Sequence, residues 1–434
     1  MEELTDLIVK GGVCLRGLVR APPSKAYTHR AIIASALSEG TSTIHNPLIC
    51  DDTLATINAC RMLGAEISEE SGGALRVLGI SRPKTPEDII DCKESGSTIR
   101  FITPVCALAD GISVLTGGRS LRRRPMGPLL DALSQLGVKC YSTRMDGCPP
   151  IVVFGGGIRG GRASIRGDVS SQFISGLLFA TPMAENDTDI VLTTPLESRP
   201  YIDVTLDVLN RHGIKVEVTG DGRVFHIPCG QMYRLHNYYI EGDYSSAAFL
   251  MAAAAITSSR VRIENLPRRS LQGDRIIVRL LHDFGVHVRV GEDFIEVMGA
   301  DGPLKPLDVD MRDNPDLVPV CAVLACMAEG KSVISGVGRL RFKESDRVKA
   351  LLTELSKMKA KIKVLDDKII IYGVRELRGA EIDPHGDHRI AMACAVAALA
   401  AKGETVIHDA ECINKSYPDF IRDMRLLGVE IIER

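Results

Sequence analysis

The chain has 434 residues, of which 45% are apolar, and a formal net charge of -2. A chain of this length and composition is typical of a globular protein with two or three domains. The near-neutral charge argues against a nucleic-acid or membrane-surface partner, and the longest apolar run, residues 390–401, is too short to span a bilayer.

The first residues and the cysteines give no sign of export. Residues 1–6 are acidic, where a leader peptide is basic. The twelve cysteines are scattered and form neither a Cys-x-x-Cys nor a His-Glu-x-x-His motif. We therefore expect a cytoplasmic protein with reduced cysteines, no bound metal and no disulfides.

One pattern recurs six times along the chain and consists of an amphipathic helix, a tight turn and a strand. Successive turns are 69 to 76 residues apart. A glycine at such a turn is typical of a helix that ends in the left-handed conformation, and only Lys359 departs from this rule. The turns are centred on Gly64, Gly137, Gly213, Gly285, Lys359 and Gly428.

Each repeat also contains a mostly apolar helix, followed by a strand rich in β-branched residues. A helix that is apolar on every side is expected to be buried, whereas the amphipathic helix lies outside it. Most of the apolar helices are expected to stop at a glycine, namely Gly40, Gly111, Gly330 and Gly403. The six helices are predicted to begin near Tyr27, Ser97, Ser171, Ser245, Pro315 and His388.

Six repeats divide naturally into two sets of three, which predicts an α/β protein of two similar domains. The best border lies near residues 240–243, where the fourth buried helix begins, and the chain first crosses between domains near residues 20–23. The predicted N-terminal lobe is therefore residues 21–240. The C-terminal lobe is residues 241–434, completed by a strand segment from residues 1–20.

Polar residues mark the starts of the buried helices. Residues 22–30 begin with two prolines and bring Lys25 and Arg30 to a helix start, where free N–H groups favour an anion. The alternative is a capped surface helix with solvated charges. Arg100 and Arg389 also stand in first turns, where the helix dipole disfavours a cation unless an anion binds nearby.

Basic residues at four outer helix starts repeat this pattern, in residues 122–125, 198–201, 341–347 and 415–418. For each of them, a solvated helix start is the alternative. If the helix starts converge, arginines and lysines from both lobes surround one ligand, because arginine binds phosphate or carboxylate through two parallel hydrogen bonds. The sequence thus predicts a site for small molecules with several negative charges.

The order of these motifs resembles that of the 5-enolpyruvylshikimate-3-phosphate synthase family over nearly the whole chain. The matching segments are residues 23–30, 95–100, 169–172, 197–201, 341–347 and 386–389. The resemblance implies the enolpyruvyl transferase fold, an inside-out α/β barrel in which each of two lobes holds three βαβαββ units and closes over the ligands. It also implies the transfer, in the shikimate pathway to chorismate, of the enolpyruvyl group of phosphoenolpyruvate to the 5-hydroxyl of shikimate 3-phosphate, without a metal or organic cofactor.

The same resemblance implies a set of site residues in a monomer that acts on two small molecules, with shikimate 3-phosphate on the N-terminal lobe. The implied catalytic residues are Lys25, Asp316, Glu344 and His388, with Glu344 as the acid and Asp316 with Lys25 as the pair for the 5-hydroxyl. Shikimate 3-phosphate is implied to bind Lys25, Arg30, Ser170, Ser171, Gln172, Ser198, Tyr201, Asp316 and Lys343. Phosphoenolpyruvate is implied to bind Lys25, Gly96, Arg100, Arg124, Gln172, Arg347, Arg389 and Lys415.

Two positions depart from the family pattern. Ala26 stands where members usually carry a serine that holds the shikimate carboxylate, so we expect binding there to weaken by about 1 kcal/mol. Glu94 replaces a common asparagine, and its charge is expected to weaken anion binding unless the carboxylate is turned away.

Three relatives provide alternatives. The UDP-N-acetylglucosamine enolpyruvyl transferases share the fold but generally carry a reactive cysteine in the loop that corresponds to residues 117–124, which contains none here. The RNA 3'-phosphate cyclases are built from related units but use an ATP-linked histidine. A non-catalytic phosphate-binding relative is expected to have lost some of Lys25, Asp316, Glu344 and His388, all of which are present.

Overall fold

The computed structural model describes residues 5–434. They form two compact units, each with its own apolar core. The N-terminal unit is Pro23–Ile240, and the C-terminal unit is Glu241–Arg434 together with the described residues before Pro23. Residues 1–4, part of the acidic start and of the predicted strand segment 1–20, lie outside the described residues.

Each unit contains six α-helices within the described residues. Those of the N-terminal unit are α1 (Lys25–Ala36), α2 (Asp51–Met62), α3 (Gly96–Cys106), α4 (Gly127–Gln135), α5 (Ser171–Ala180) and α6 (Arg199–Arg211). Those of the C-terminal unit are α7 (Tyr244–Ile256), α8 (Ile277–Asp283), α9 (Val318–Cys326), α10 (Arg347–Lys357), α11 (His388–Leu399) and α12 (Phe420–Leu426).

The strands are short, and most have two to five residues. In chain order they are β1 (Leu7–Lys10), β2 (Arg16–Arg20), β3 (Gly40–His45), β4 (Glu66–Glu69), β5 (Leu75–Gly79), β6 (Ile90–Asp91), β7 (Ile112–Thr116), β8 (Cys140–Ser142), β9 (Ile151–Phe154), β10 (Gly161–Ile165), β11 (Thr188–Leu192), β12 (Glu217–Thr219), β13 (Val224–Ile227), β14 (Tyr238–Tyr239), β15 (Arg260–Glu264), β16 (Val286–Val290), β17 (Phe294–Ala300), β18 (Asp308–Asp310), β19 (Lys331–Ser335), β20 (Lys361–Leu365), β21 (Lys368–Tyr372), β22 (Leu377–Arg378), β23 (Glu381–Ile382), β24 (Ala401–Lys402), β25 (Glu404–Ile407) and β26 (Ile431–Glu433).

Six four-stranded sheets share one topology, and they confirm the six repeats predicted from the sequence. In each sheet the first pair of strands is parallel and the other two pairs are antiparallel. The N-terminal unit holds the sheets β14-β3-β5-β4, β6-β7-β9-β8 and β10-β11-β13-β12. The C-terminal unit holds β2-β15-β17-β16, β18-β19-β21-β20 and β23-β25-β1-β26.

The predicted division into buried and outer helices is also confirmed. In the N-terminal unit, α1, α3 and α5 are buried along almost their whole length, and α7, α9 and α11 are their counterparts in the C-terminal unit. The helix α3 packs on α5, and α7, α9 and α11 pack on one another. Because an apolar helix stabilises the fold only when its whole surface is covered, three such helices form the centre of each unit.

The expected helix ends at glycine are wrong by about one turn. The helices end at Ala36, Cys106, Cys326 and Leu399, four or five residues before Gly40, Gly111, Gly330 and Gly403. Three of these glycines have a positive φ and stand at the entry to the next strand, so they shape that turn and not the helix end.

The start of the fifth buried helix also differs from the prediction. Pro315–Leu317 form a 3₁₀ turn, and the α-helix begins at Val318. In an α-helix the N–H of residue 319 bonds the carbonyl of Pro315, but Pro319 has no N–H. The turn tightens instead, and the Leu317 N–H donates to the Asn314 carbonyl at 3.1 Å.

All six predicted turns have the left-handed conformation, including the one without glycine. Their φ values lie between +68° and +106°, and Lys359 has +68°. The Lys359 N–H donates to the Ser356 carbonyl and the Ala360 N–H to the Leu355 carbonyl, both at 3.0 Å. These are the two bonds of a Schellman helix end, so the repeat imposes its geometry on a residue that has a side chain.

We expect Lys359→Gly to raise the free energy of unfolding of the C-terminal unit by about 0.5 to 1 kcal/mol, because glycine adopts a positive φ without a steric conflict. Urea unfolding followed by circular dichroism measures the change. The control is Lys361→Gly in β20, which is expected to destabilise, since glycine weakens a strand. Destabilisation by Lys359→Gly would show that the positive φ does not strain the backbone at Lys359.

Candidate active site

In the N-terminal unit, the start of α1 carries two of the predicted site residues. Lys25 donates from Nζ to Oδ2 of Asp52 at 2.9 Å, an ion pair that the sequence did not predict. Arg30 is buried and donates to the Thr205 hydroxyl at 2.8 Å and to the carbonyls of Ala26 and Tyr201 at 2.9 and 3.1 Å. Arginine has five N–H donors, so two remain for a substrate carboxylate.

The starts of α3 and α5 are joined by side chains from both helices. Arg100 donates from Nη1 to Oε1 of Gln172 at 2.6 Å, and Gln172 donates from Nε2 to the Ser97 hydroxyl at 2.9 Å. The Arg100 guanidinium also lies 5.2 Å from the centre of the Phe173 ring. The cation in this first turn therefore contacts a neutral amide and an aromatic ring within the protein.

Arg124 lies directly on the first residue of α3. A Cβ atom at Gly96 would lie only 2.6 Å from Nη1 of Arg124, so no other residue fits at Gly96 with the arginine in this place. The Arg124 side chain is buried and follows the 3₁₀ turn Leu121–Arg123. The amide groups of a helix start and a guanidinium are thus held together, and both attract anions.

The predicted phosphate-binding serines are also at helix starts. The Ser170 hydroxyl accepts a hydrogen bond from the Gln172 N–H at 3.3 Å and caps α5, and Ser171 is the first residue of that helix. A capping hydroxyl still has its own proton to donate to a phosphate oxygen. Ser198, before α6, is buried and has a φ of +58°, a strained conformation of the kind that is concentrated at functional sites.

In the C-terminal unit, Arg347 joins three carboxylates. Its Nη1 lies 2.9 Å from Asp316, its Nη2 lies 2.6 Å from Glu344, and its Nε lies 2.8 Å from Asp387. The Arg347 side chain is only 1% exposed. Burial acts to lower the pKa of Arg347, but Asp387, Glu344 and Asp316 together raise it above its ordinary value, so the guanidinium stays charged.

Asp316 in turn contacts three cations. Besides Arg347, it accepts from Nη2 of Arg389 at 3.1 Å and from Nζ of Lys343 at 3.5 Å. Arg389 in its first turn therefore has a protein carboxylate as partner. Enclosure by the protein lowers the pKa of Lys343 to about 8, although Asp316 acts in the opposite direction.

The start of α11 is held by Asp387. The Asp387 carboxylate is fully buried and accepts from the Arg389 N–H at 3.0 Å and from the Ser345 hydroxyl at 3.1 Å. His388 is also buried, with Nδ1 3.9 Å from Oδ1 of Asp387. Lys415 donates to the carbonyl of Gly386 at 2.9 Å, which brings the last of the predicted cations to the same helix start.

Behind Asp316 lies a buried carboxyl group that the sequence did not single out. Asp274 accepts from Nδ2 of Asn314 at 3.1 Å and from the Ser245 hydroxyl. Burial and, to a smaller degree, the charge of Asp316 raise the pKa of Asp274 to about 6. The hydrogen bond from Asn314 ties Asp274 to the segment that carries Asp316.

Each unit taken by itself thus brings its predicted residues together. In the N-terminal unit they gather at the starts of α1, α3, α5 and α6, and in the C-terminal unit around Arg347. Sequence reasoning missed Asp52, Asp274 and the bridging role of Asp387. Of these, only Asp387 stood in a singled-out motif, residues 386–389, while Asp52 passes for an ordinary acid in the first turn of α2.

The described residues contain no group of histidines, cysteines and carboxylates arranged to hold a metal ion. All twelve cysteines are free, and most are buried. No helix in residues 5–434 combines the length and the apolar character that crossing a membrane requires.

Comparison with known proteins decides the family. The sequence model of the family described as EPSP synthase (3-phosphoshikimate 1-carboxyvinyltransferase) matches residues 9–424. The chain belongs to the EPSP synthase family. The 3-phosphoshikimate 1-carboxyvinyltransferase of Methanocaldococcus jannaschii is 45% identical over 426 residues, which cover 98% of this chain and 99% of that protein. The protein of the same name from Methanocella arvoryzae is 47% identical over 96% of this chain and 97% of its own length.

Solved structures support the same fold. An EPSP synthase from Acinetobacter baumannii superimposes with a TM-score of 0.83 and 28% identity, over 99% of this chain and all of that one. The enolpyruvyl transferase NikO from Streptomyces tendae has a TM-score of 0.81 over 99% of both chains, but its 19% identity shows only a common fold. The predicted enolpyruvyl transferase fold and transferase family are therefore confirmed.

We expect Arg347→Leu to lower the free energy of unfolding of the C-terminal unit by about 3 to 5 kcal/mol at pH 7, because three carboxylates lose their common cation. Urea unfolding at pH 7 measures the loss. The control is Arg341→Leu, which removes an exposed cation 3.7 Å from Asp346 and should change stability by less than about 0.5 kcal/mol. Equal effects of the two variants would contradict the central role of Arg347.

Proposed function

We propose that this chain transfers the enolpyruvyl group of phosphoenolpyruvate to the 5-hydroxyl of shikimate 3-phosphate and releases phosphate. Membership of the EPSP synthase family supports the reaction. The structural observation that carries the proposal is the cluster around Arg347, where the two carboxylates with proposed proton-transfer roles bond one buried guanidinium. Both substrates are polyanions, so a site for them needs the lysines and arginines that each unit gathers at its helix starts.

Shikimate 3-phosphate is assigned mainly to the N-terminal unit. Ser170 and Ser171 at the start of α5, with Ser198 and Lys343, are proposed to hold its phosphate. Arg30 is proposed to bind the carboxylate with its two remaining N–H donors, while Gln172 and Tyr201 line the ring. Ala26 cannot assist Arg30, so this end of the substrate is expected to bind less tightly by about 1 kcal/mol than with a serine there.

Phosphoenolpyruvate is assigned to cations of both units. The proposed ligands are Lys25, Gly96, Arg100, Arg124, Gln172, Arg347, Arg389 and Lys415. The geometry within each unit supports this set, because Arg124 lies on Gly96, Gln172 bonds Arg100, and Arg389 shares Asp316 with Arg347.

The chemistry requires an acid and a base. The oxygen of the 5-hydroxyl bonds to the carbon that carries the phosphate, that hydroxyl loses a proton, and the methylene carbon gains one. Loss of phosphate and of a methyl proton then restores the double bond. We propose that Glu344 supplies the proton to carbon, that Asp316 with Lys25 accepts the proton of the 5-hydroxyl, and that the buried His388 belongs to the same catalytic group.

The developing charge in the tetrahedral intermediate is met by fixed cations, each contributing on the order of 3 kcal/mol to the barrier reduction. Since every role above falls to a side chain of one chain, we propose that the protein acts as a monomer without a metal or organic cofactor. A location in the cytoplasm stays a prediction.

Purified protein is expected to release phosphate when given phosphoenolpyruvate with shikimate 3-phosphate, and not when the acceptor is UDP-N-acetylglucosamine. A coupled phosphate assay measures both reactions, and the control is Glu344→Gln, which removes the proposed acid but keeps its shape. Release only with the UDP-sugar would favour the sister transferases. Binding of both substrates without release would favour a non-catalytic relative.

The pKa of Lys343 gives a second test. Below about pH 8 the ammonium group is charged and binds the phosphate of shikimate 3-phosphate, and above it the charge is lost. We therefore expect KM for this substrate to rise by up to about tenfold per pH unit between pH 8 and 9.5. Lys343→Arg keeps its charge and should flatten the profile.

The internal control is KM for phosphoenolpyruvate, whose proposed ligands do not include Lys343. A KM for shikimate 3-phosphate that stays constant over this range in the unmodified protein would argue against the role given to Lys343.

A further inference from the structure

Hydrogen bonds join the segment before α3 to the loop that carries Arg124. The carboxylate of Glu94 accepts hydrogen bonds from the N–H groups of Leu121 at 2.8 Å and of Ser120 at 3.3 Å. The carbonyl of the preceding Lys93 accepts from the Gly118 N–H at 2.7 Å. Three amide groups of the loop between β7 and α4 are thus held by two consecutive residues.

The bonds from Glu94 have the character of a helix cap supplied by another segment. Leu121 is the first residue of the 3₁₀ turn Leu121–Arg123, and the residue before it, Ser120, makes no capping bond with its own side chain. The first amides of a helical turn have no partner inside it, and a carboxylate is their strongest acceptor. Arg124 follows directly and donates its N–H to the Leu121 carbonyl at 3.0 Å.

The loop approaches residues 93 and 94 closely at two glycines. A Cβ atom at Gly118 would lie 2.0 Å from Oε1 of Glu94, and one at Gly117 would lie 2.3 Å from the Lys93 carbonyl. Both glycines therefore permit the close approach of the loop to residues 93 and 94. At the other end of the turn, the guanidinium of Arg124 lies against Gly96, two residues after Glu94.

We propose that Glu94 is a positioning residue that caps the 3₁₀ turn 121–123 and thereby holds Arg124 against Gly96 in the orientation that binds phosphoenolpyruvate. This inference rests on the proposed binding role of Arg124. It takes up the exception that the sequence left open, in which the carboxylate of Glu94 is turned away from the anion. The carboxylate is directed at loop amides, whose partial positive charge offsets it.

Steady-state kinetics distinguish the two roles, because they predict opposite changes in KM for phosphoenolpyruvate. If Glu94 positions Arg124, Glu94→Ala raises KM for phosphoenolpyruvate about tenfold and leaves KM for shikimate 3-phosphate within about twofold. Glu94→Gln keeps one acceptor oxygen and should raise the first KM by only about threefold. If Glu94 instead repels the anion, both variants lower KM for phosphoenolpyruvate, and the proposal is overturned.

A double-mutant cycle with Arg124→Lys shows whether Glu94 acts through Arg124. The effect of Glu94→Ala on KM for phosphoenolpyruvate is expected to disappear in the Arg124→Lys background, whereas additive effects would refute the positioning role. The matched control is Asp187→Ala, which removes another carboxylate that accepts a loop N–H, that of Cys229 at 2.9 Å, in the same unit. This control should leave both KM values unchanged.

Hydrogen exchange tests the cap without relying on turnover. In Glu94→Ala the amides of Ser120 and Leu121 should exchange at least tenfold faster than in the unmodified protein, while those inside α3 are unaffected. Unchanged exchange at both amides would overturn the cap even if the kinetics changed. Fast exchange in the variant, together with no phosphate release by the unmodified protein, would leave the cap in place and refute the proposed reaction instead.

Discussion

The buried Arg347 is the interaction on which the C-terminal half of the site depends. One guanidinium bonds Asp316, Glu344 and Asp387, which stand on three different segments of the chain. Three carboxylates this close would repel one another without its positive charge. The same residue thus fixes the geometry of the proposed acid and base before a substrate arrives.

The N-terminal half holds its cations through other contacts. Lys25 has Asp52, but Arg100 contacts an amide and a ring, and Arg124 lies on the amides of a helix start. An anion at these helix starts is attracted by the guanidinium groups and by the N–H groups of the first turns.

Much of this architecture could be predicted from the sequence, because the hydrophobic pattern and the turn glycines repeat six times. Lys359 is the one turn residue that is not glycine, yet it has the same left-handed conformation between α10 and β20 as the turn glycines. The helix ends could not be predicted, because they depend on single hydrogen bonds, whereas the 3₁₀ start before α9 follows from Pro319, whose missing N–H the sequence does show. Asp52 and Asp274 were missed, and the direction of the Glu94 carboxylate stayed open, for a related reason. Their roles follow from the distant amide or cation that each carboxylate contacts, and no local sequence pattern records that.

The order of strands in the last sheet bears on how the protein folds as it is synthesised. Strand β1 precedes the whole N-terminal unit along the chain, yet it lies between β25 and β26, which come long after that unit. The sequence of the N-terminal unit is continuous from Pro23 to Ile240, and a continuous domain generally folds as a unit during synthesis. At that stage β25 and β26, the partners of β1, have not yet been made. Strand β1 therefore cannot pair until β25 and β26 have been synthesised, and a product truncated before β25 has a strand without its partners.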